Sequence, residues 1–206
     1  MMQIALDATG KRFNRDWIFK NLSYRFNQGN AYAITGPNGS GKSTLLQVLS
    51  AGMGTSQGKI EWTLSDQTVA NEEVHKSLAI AAPYLELVEE MTVKEFFHFH
   101  HTFKPFISSL SITKIIELIG LEKATAKQIR FYSSGMKQRV KLAQAIFADV
   151  PLLLLDEPCT NLDANGYDLY QQLISNYCKD KLVIVSSNDV NEYSFCKEKI
   201  NILEYK

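Results

Sequence analysis

The stretch GPNGSGKST, residues 36–44, decides which fold this sequence adopts. It fits the pattern G-x-x-x-x-G-K-[ST], in which glycines let backbone N–H groups wrap around phosphate oxygens. The strand-like AYAIT, residues 31–35, precedes it, and KSTLLQVLSAG, residues 42–52, follows with an apolar helical face. This order of strand, glycine-rich turn and helix predicts a phosphate-binding loop at a helix N-terminus.

The predicted ligand of this loop is a nucleoside triphosphate. Lys42 is expected to contact the β and γ phosphates, and the hydroxyl of Ser43 is expected to bind Mg²⁺. The predicted nucleotide-binding residues are Gly36, Pro37, Asn38, Gly39, Ser40, Gly41, Lys42, Ser43 and Thr44. A chance glycine turn before a helix is the alternative, and the matching strand and helix on its two sides argue against it.

A second motif is LLLLDE, residues 152–157. Its continuous apolar run is typical of a strand that is buried on both faces of a parallel sheet, and KLVIVSS, residues 181–187, has the same character. An acidic pair at the end of a buried strand is costly to leave unpaired. Asp156 is therefore expected to hold Mg²⁺ through water, and Glu157 to face the attacking water. An acidic pair that is merely solvated is the alternative.

The order of the segments predicts one α/β domain over all 206 residues. Helical patterns fill the middle of the chain, in TVKEFFHFHHTF, SITKIIELIGLEKA and SGMKQRVKLAQAIFA. We expect a three-layer nucleotide-binding core from residues 1–84 and 149–206, interrupted by a helical subdomain at about residues 85–148. Phe96, Phe99 and Phe103 recur at helical spacing, which favours a stripe in the core of that subdomain.

Overall composition limits the possible partners. Lys plus Arg and Asp plus Glu are both 22, so no basic field is available to gather nucleic acid. The three cysteines are far apart, without metal-ligand spacing, and are expected to be structural thiols. No apolar run approaches the roughly 18 residues that cross a bilayer. We therefore expect a soluble chain that does not bind nucleic acid.

The sequence YSSGMKQRVKLAQA, residues 132–145, lies just before the Asp-Glu strand. A serine and a glycine at a helix start offer a hydroxyl and free N–H groups to an anion, although an ordinary helix cap begins in the same way. With this stretch, the chain resembles the ATP-binding cassette (ABC) family over nearly its whole length. The family's signature motif usually has the core LSGGQ followed by KQR. Its counterpart here is Tyr132, Ser133, Ser134, Gly135 and Met136.

The resemblance implies an ATPase of the P-loop NTPase (RecA-like) fold, with a parallel-sheet core, an N-terminal antiparallel β part and the helical insertion. It implies a head-to-tail dimer around two Mg-ATP, most simply a homodimer, in which one chain's signature completes the other's phosphate loop. Asp163, in the position of the family's D-loop, would reach across that interface or cap the following helix. A separately encoded transmembrane permease is the implied partner, which would place the chain peripherally on the cytoplasmic face of the membrane. The short single cassette is similar to those of small exporters.

The resemblance also places an aromatic ring against adenine in KRFNRDW, residues 11–17. Phe13 is the expected residue and Trp17 the reserve, since stacking needs only a flat apolar face. Packing within a strand is the alternative for both.

Two positions depart from the family pattern. No glutamine stands between Gln67 and Gln128, and alignment on MTV puts Pro83 where the family has one. All four histidines precede residue 102, so Asn188 stands where the family has a histidine at the tip of the last core strand. Asn188 is therefore predicted to face the γ-phosphate as a neutral amide.

Two alternatives to a transporter motor remain open at this point. One is a soluble ABC ATPase acting in translation or on DNA, although only 91 residues separate Gly41 from Ser133, too few for long coiled-coil arms. The other is a degenerate cassette that binds ATP as a regulatory clamp, which Pro83 and Asn188 favour.

Overall fold

The computed structural model describes residues 1–206, whose nine strands form one antiparallel and one parallel sheet. The antiparallel sheet has the order β2-β1-β4-β5, and the parallel sheet has the order β6-β7-β8-β3-β9. The strands are β1 (Met2–Phe13), β2 (Asp16–Asn27), β3 (Ala31–Thr35), β4 (Gln57–Leu64), β5 (Gln67–Val69), β6 (Leu78–Ala81), β7 (Leu152–Asp156), β8 (Leu182–Ser186) and β9 (Glu198–Asn201). The α-helices are α1 (Lys42–Leu49), α2 (Val93–Phe103), α3 (Ile112–Leu118), α4 (Ser134–Ile146) and α5 (Ala164–Tyr177).

The parallel sheet forms the middle layer and separates two hydrophobic cores. Every residue of β7 and β8 is buried, as their continuous apolar sequences require. Leu152 and Leu154 of β7 pack toward α1 and the antiparallel sheet. Leu153 and Leu155, which point to the opposite face, pack into the core that contains α4 and α5. The predicted three-layer α/β class with an antiparallel N-terminal part is confirmed.

Because all strands of the middle sheet are parallel, their carboxyl ends lie along one edge. The loops that follow β3, β7 and β8 therefore emerge side by side, since the three strands are neighbours in the order β7-β8-β3. These loops carry the glycine-rich stretch, the Asp-Glu pair and Asn188. The fold alone thus gathers three of the predicted motifs at one edge.

Helices α2, α3 and α4 lie between β6 and β7 in the chain. Thr92 begins α2 with a capping box, because it accepts from the amide of Glu95 and the Glu95 carboxylate accepts from the Thr92 amide. None of the helices combines the length and apolar character needed to cross a membrane. The division of the chain near residues 84 and 149 stays a prediction.

The expected core stripe on α2 is wrong for two of its three phenylalanines. Phe96 is buried, but Phe99 is 47% exposed and Phe103 is 75% exposed. The face of α2 that packs inward is centred on Phe96 and Phe97, and the Phe97 ring meets that of Phe106 edge-on at 5.5 Å. Phe99 and Phe103 lie at the exposed margin of this face, where they contact each other with ring centroids 5.1 Å apart.

Candidate nucleotide-binding and hydrolysis site

The glycine-rich loop leaves β3 at Gly36 and enters α1 at Gly41. Gly41 has a φ of 105°, and a Cβ atom there would lie 2.3 Å from Cγ2 of Ile18. Only glycine fits this position without moving its neighbour. Ile18, in β2, thus forms a half-buried wall beside the loop. Sequence reasoning missed Ile18, and the alternating pattern of β2 gives no signal that one of its side chains borders the loop.

The start of α1 is open to a ligand. Helices α2 to α5 each begin with a side chain that accepts from an amide of the first turn, whereas α1 has no such cap. The first turn of α1 also contains no acidic residue that would oppose an anion. Its free amides and the positive end of the helix therefore offer a binding site for phosphate oxygens.

Lys42 places its charge inside the loop. The side chain is 5% exposed, and its Nζ donates to the carbonyl oxygens of Gly36 at 2.9 Å and Pro37 at 3.3 Å. Neither acceptor is charged, so the ammonium remains free to pair with an anion that enters the loop. The hydroxyl-bearing Ser43 follows directly and is exposed at the helix start.

Asp156 ends β7 as a buried carboxylate. It is 2% exposed, and its Oδ1 has no hydrogen-bond partner. Its neighbour in the sheet is Ser186 of β8, whose hydroxyl is also buried without a partner. A buried carboxylate oxygen with no donor is costly unless a cation or its water shell satisfies it. The Asp156 carboxylate and the Ser186 hydroxyl offer oxygen atoms that fit Mg²⁺, which prefers carboxylate oxygens and bound water.

Glu157 has an uncommon backbone conformation. Its φ is 44°, in the left-handed region that costs a residue with a side chain about 1 kcal/mol or more. The surrounding structure fixes it, because its amide donates to the Ser186 carbonyl at 2.8 Å and its carbonyl accepts from Oγ1 of Thr160 at 2.8 Å. The result is a half-buried acidic residue directly after Asp156 at the end of β7.

Asn188 contacts the glycine-rich loop directly. Its Nδ2 donates to Oδ1 of Asn38 at 3.1 Å. The residue before it, Ser187, is anchored to β3, since its amide donates to the Ile34 carbonyl at 3.2 Å. The structure thus brings the tip of β8 to the loop, as the polar end of VIVSSN led us to expect.

Tyr84, and not Pro83, places a side chain near the acidic pair. Burial raises the pKa of Tyr84; the neighbouring Gln47 side chain opposes this rise, and the charge of Asp156 adds to it. Pro83 contributes only its carbonyl, which accepts from Nζ of Lys141 at 3.1 Å. That Pro83 stands where the family has its glutamine stays a prediction, and Tyr84 is the adjacent residue, whose side chain no sequence pattern singled out.

The signature residues lie on a separate surface. Ser134, Gly135 and Met136 line a cavity of about 410 Å³ together with Lys123 and Arg139, and no residue of the glycine-rich loop lines it. The cap that the sequence allowed is present, because Oγ of Ser133 accepts from the Met136 amide at 3.3 Å. The first turn of α4 is therefore partly satisfied by its own chain.

Asp163 borders the same cavity. Its Oδ1 accepts from the Gly166 amide at 2.9 Å, so it caps α5, and it lies 3.6 Å from Nη2 of Arg139. The side chain is nevertheless 67% exposed. The capping interpretation is thus supported, and a contact with a second chain stays a prediction.

The two candidate aromatic residues have different surroundings. The ring of Phe13 is 46% exposed at the end of β1, with Nζ of Lys11 5.4 Å from its centre. Trp17 is half-buried and lies over Gly10, where a Cβ atom would be 2.9 Å from Cζ3 of the indole. Exposure favours Phe13 as the flat surface for a base, and this role stays a prediction.

Comparison with known proteins agrees with this geometry. The family described as ABC transporter matches residues 19–160. The chain belongs to the ABC transporter family. Among its relatives, the uncharacterized ABC transporter ATP-binding protein YcbN of Bacillus subtilis is 26% identical, and the match covers 94% of this chain and 64% of YcbN. The cytochrome c biogenesis ATP-binding export protein CcmA of Xylella fastidiosa is 30% identical, over 77% of this chain and 70% of CcmA.

Solved structures of ABC proteins share the fold. A putative ABC transporter ATP-binding protein from Pyrococcus furiosus superimposes with a TM-score of 0.84 at 19% identity, covering 99% of both chains. A dimeric bacterial ABC transporter cassette gives 0.80 at 22% identity, covering 97% of this chain and 94% of the other. The chain spans less than two thirds of the length of three Bacillus subtilis relatives and 86% of a fourth. The predicted family is confirmed.

Proposed function

We propose that this ABC protein is the ATP-binding and ATP-hydrolysing subunit of a membrane transporter. The observation that carries the proposal is the convergence of three loops at the carboxyl edge of the parallel sheet. One loop holds Lys42 at an uncapped helix start, the second holds Asp156 and Glu157, and the third brings Asn188 to within 3.1 Å of the first. This arrangement supports binding of a triphosphate together with hydrolysis at its terminal phosphate.

Each residue has a distinct part in the proposed reaction. The loop amides from Gly36 to Thr44 and the Lys42 ammonium hold and orient the phosphates, while Phe13 stacks on the base. Ser43 and Asp156, the latter through water, hold Mg²⁺, which when bound neutralises charge on the phosphates. Glu157 orients the attacking water and accepts its proton. Asn188 donates a hydrogen bond to the γ-phosphate from the position it already occupies beside Asn38.

The signature surface supports a head-to-tail dimer. Ser133, Ser134, Gly135 and Met136 face a cavity that contains none of the loop residues, so within one chain they are not positioned at the triphosphate. A second chain in reverse orientation would bring its signature against this chain's loop and thus complete two sites at once. The exposed carboxylate of Asp163 borders the same surface and would contact the partner chain there.

An exposed aromatic surface supports a membrane-embedded partner. Phe99 and Phe103 are 47% and 75% exposed and contact each other with ring centroids 5.1 Å apart, which leaves an apolar patch open to water. We propose that a short helix of a transmembrane permease docks there, which keeps the chain at the cytoplasmic face of the membrane. One relative, from Rhizobium sp., is named a Nod factor export ATP-binding protein and another, from Fusobacterium nucleatum, a phosphonates import ATP-binding protein, so the proposal includes no direction of transport.

A second candidate function, an ATP-dependent regulatory clamp, is supported by one observation. Pro83 and Asn188 are predicted to stand where the family has glutamine and histidine; a proline offers no side-chain donor, and an asparagine side chain cannot become cationic. A clamp would bind ATP and dimerise without turning over. Phosphate release from the wild type under excess Mg-ATP, compared with Glu157→Gln, separates the two candidates. A rate clearly above that of Glu157→Gln supports the motor, and equal background rates support the clamp.

A mixing experiment tests the shared site. One variant carries Lys42→Ala, which impairs its loop but leaves its signature intact, and the other carries Ser134→Asp, which does the reverse. Asp at the first turn of α4 favours the helix while its charge repels a partner's phosphate. If sites are shared, a mixed dimer has one intact site, and an equimolar mixture recovers up to about one quarter of wild-type activity. No recovery in the mixture would exclude a head-to-tail arrangement.

A further inference from the structure

A buried carboxylate lies behind the acidic pair and has no part in the functions above. Glu192 is 4% exposed and ends the 3₁₀ turn Val190–Glu192 that follows Asn188. Its Oε1 accepts from the Cys159 amide at 2.8 Å. The hydroxyl of Tyr170 donates to its backbone carbonyl at 2.8 Å and so fixes the residue from the side of α5. The segment after β8 is thereby tied to the segment after β7.

In these surroundings a buried carboxylate costs folding free energy that an apolar side chain would not. Asp189 and Glu157 are its charged neighbours, both of the same sign, and no cation lies among the groups that influence it. Burial raises the pKa of Glu192, although the nearby Ser187 hydroxyl and the Cys159 amide oppose this rise. Its Oε2 is buried and has no partner at hydrogen-bonding distance. An apolar side chain would fill the same space at lower cost.

Glu192 contacts the segment that directly follows Glu157 and that fixes the backbone conformation of Glu157. The left-handed backbone of Glu157, with φ of 44°, persists only if the residues after it are fixed. Two buried hydrogen bonds fix them. One is the Cys159 amide to Glu192, and the other runs from Nε2 of Gln138 to the Pro158 carbonyl at 2.6 Å. Gln138 belongs to α4, the helix that begins with the signature residues.

We propose that Glu192 is a positioning residue for Glu157. Its carboxylate holds the Cys159 amide and, together with the bond from Gln138 to the Pro158 carbonyl, keeps the segment 157–160 in the conformation that includes the left-handed backbone of Glu157. The same segment is bonded to the signature helix of the same chain through Gln138. The inference rests on the proposed ATPase function and adds a residue to it.

The kinetic test compares Glu192→Ala with Glu192→Gln. Alanine removes the acceptor, whereas glutamine keeps an oxygen at the same place. We expect Glu192→Ala to lower kcat about tenfold to a hundredfold with KM for ATP changed less than about twofold, and Glu192→Gln to stay within about threefold of the wild type. Unchanged kcat in Glu192→Ala, or Glu192→Gln as slow as Glu192→Ala, would overturn the proposal.

Lys181→Met is the matched control for lost stability. Lys181 is also buried, at 7% exposure, and its Nζ donates to the carbonyls of Ile146 and Ala148 at the opposite end of β8. Its replacement removes two buried hydrogen bonds far from residues 157–160. We expect Lys181→Met to lower the Tm at least as much as Glu192→Ala while kcat stays near the wild-type value. If kcat fell equally in both variants, Glu192 would have only a structural role.

A second readout is independent of hydrolysis. Cys159 is 2% exposed, and the other two cysteines, Cys178 and Cys196, are also buried. Alkylation of the folded protein by a maleimide, followed by peptide mass spectrometry, measures the opening of each site. We expect Cys159 to react about tenfold faster in Glu192→Ala than in Glu192→Gln, with Cys178 and Cys196 unchanged. If the wild type does not hydrolyse ATP, the proposed function fails, while unaltered Cys159 labelling overturns the role of Glu192 itself.

Discussion

The first turns of α1 and α4 both face ligand surfaces, and they differ in what satisfies their amides. At α1 no side chain of the protein caps the helix, and Lys42 lies within the loop. At α4, Ser133 already accepts from the Met136 amide, and the adjoining Arg139 lies 3.6 Å from Asp163. The α1 site is thus uncapped within one chain and strongly favours an anion, whereas the α4 site is partly satisfied by its own cap. Nucleotide binding should therefore depend on α1, and α4 should matter only when two chains meet.

The acidic pair lies at the same sheet edge as the start of α1. Asp156 and Glu157 follow β7, which lies beside β8, and β8 lies beside the strand that leads into α1. A Glu157→Gln variant keeps the shape and the binding surface but cannot accept a proton. We expect phosphate release to fall by about two to four orders of magnitude with ATP affinity unchanged. In the same variant we expect a dimer to accumulate when Mg-ATP is added, and light scattering measures its molar mass.

Formation of this dimer tests α1 and α4 together, because each nucleotide would be held between α1 of one chain and α4 of the other. If Glu157→Gln does not dimerise with Mg-ATP at high concentration, and does not do so when a permease is present, α4 has no part in the nucleotide site. A Glu157→Gln,Lys42→Ala double variant is the matched control, since it lacks hydrolysis and tight binding together.

Removal of the Lys42 charge tests the α1 side alone. Lys42→Ala deletes the ammonium that lies among the loop carbonyls, and charge-assisted bonds to phosphate are among the strongest in proteins. We expect the affinity for a fluorescent ATP analogue to fall by at least about a hundredfold, with the Tm within a few degrees of the wild type. Lys141→Ala, which removes a half-buried lysine bonded to a carbonyl outside the loop, is the control and should bind normally. Normal binding by Lys42→Ala would show that the loop is misassigned.

Ser134 tests the α4 side alone. Ser134→Asp should leave ATP binding by a single chain unchanged, since the residue lines a cavity away from the loop. In the dimer, its charge would face the partner's triphosphate, and we expect ATP-driven dimerisation to weaken by about thirtyfold to a hundredfold. Ser134→Ala removes the hydroxyl without adding charge and should change dimerisation little. Reduced ATP binding by monomeric Ser134→Asp would mean that the two helices share one site within the chain.

The contrast between these helices also explains what the sequence predicts. The loop, LLLLDE and VIVSSN are contiguous motifs whose geometry is local, and parallel strands bring their ends together by topology. Phe99 and Phe103 were misplaced because helical spacing does not show where the centre of the buried face lies, and the burial of Phe97 against Phe106 shifts that centre away from them. Glu192 and Gln138 gave no signal, because each is bonded to a segment at least 20 residues away in the chain.

Asn188 is the last position where the α1 side differs from its family, and its expected effect is the smallest. Its Nδ2 already donates to Asn38 in the glycine-rich loop, so the amide is placed to donate to a γ-phosphate instead. An amide cannot become cationic, and a neutral hydrogen bond in place of a charge-assisted one loses about 1 kcal/mol. We therefore expect Asn188→Ala to release phosphate about fivefold to tenfold more slowly than the wild type, and Asn188→His to be equal or faster.

The decisive measurement is phosphate release by each of these variants assembled with the permease. Asn191→Ala is the control, because Asn191 is an exposed asparagine in the same segment that bonds to Asp189 and not to the loop. Asp156 and Glu157 are intact in all of them, so loss of the amide should slow the reaction and leave it well above Glu157→Gln. If Asn188→Ala matched the wild type, the hydrogen bond to the γ-phosphate would have no part in hydrolysis. If it fell to the level of Glu157→Gln, the amide would be doing the work of a catalytic group, and the rate lost would be far greater than one neutral hydrogen bond can account for.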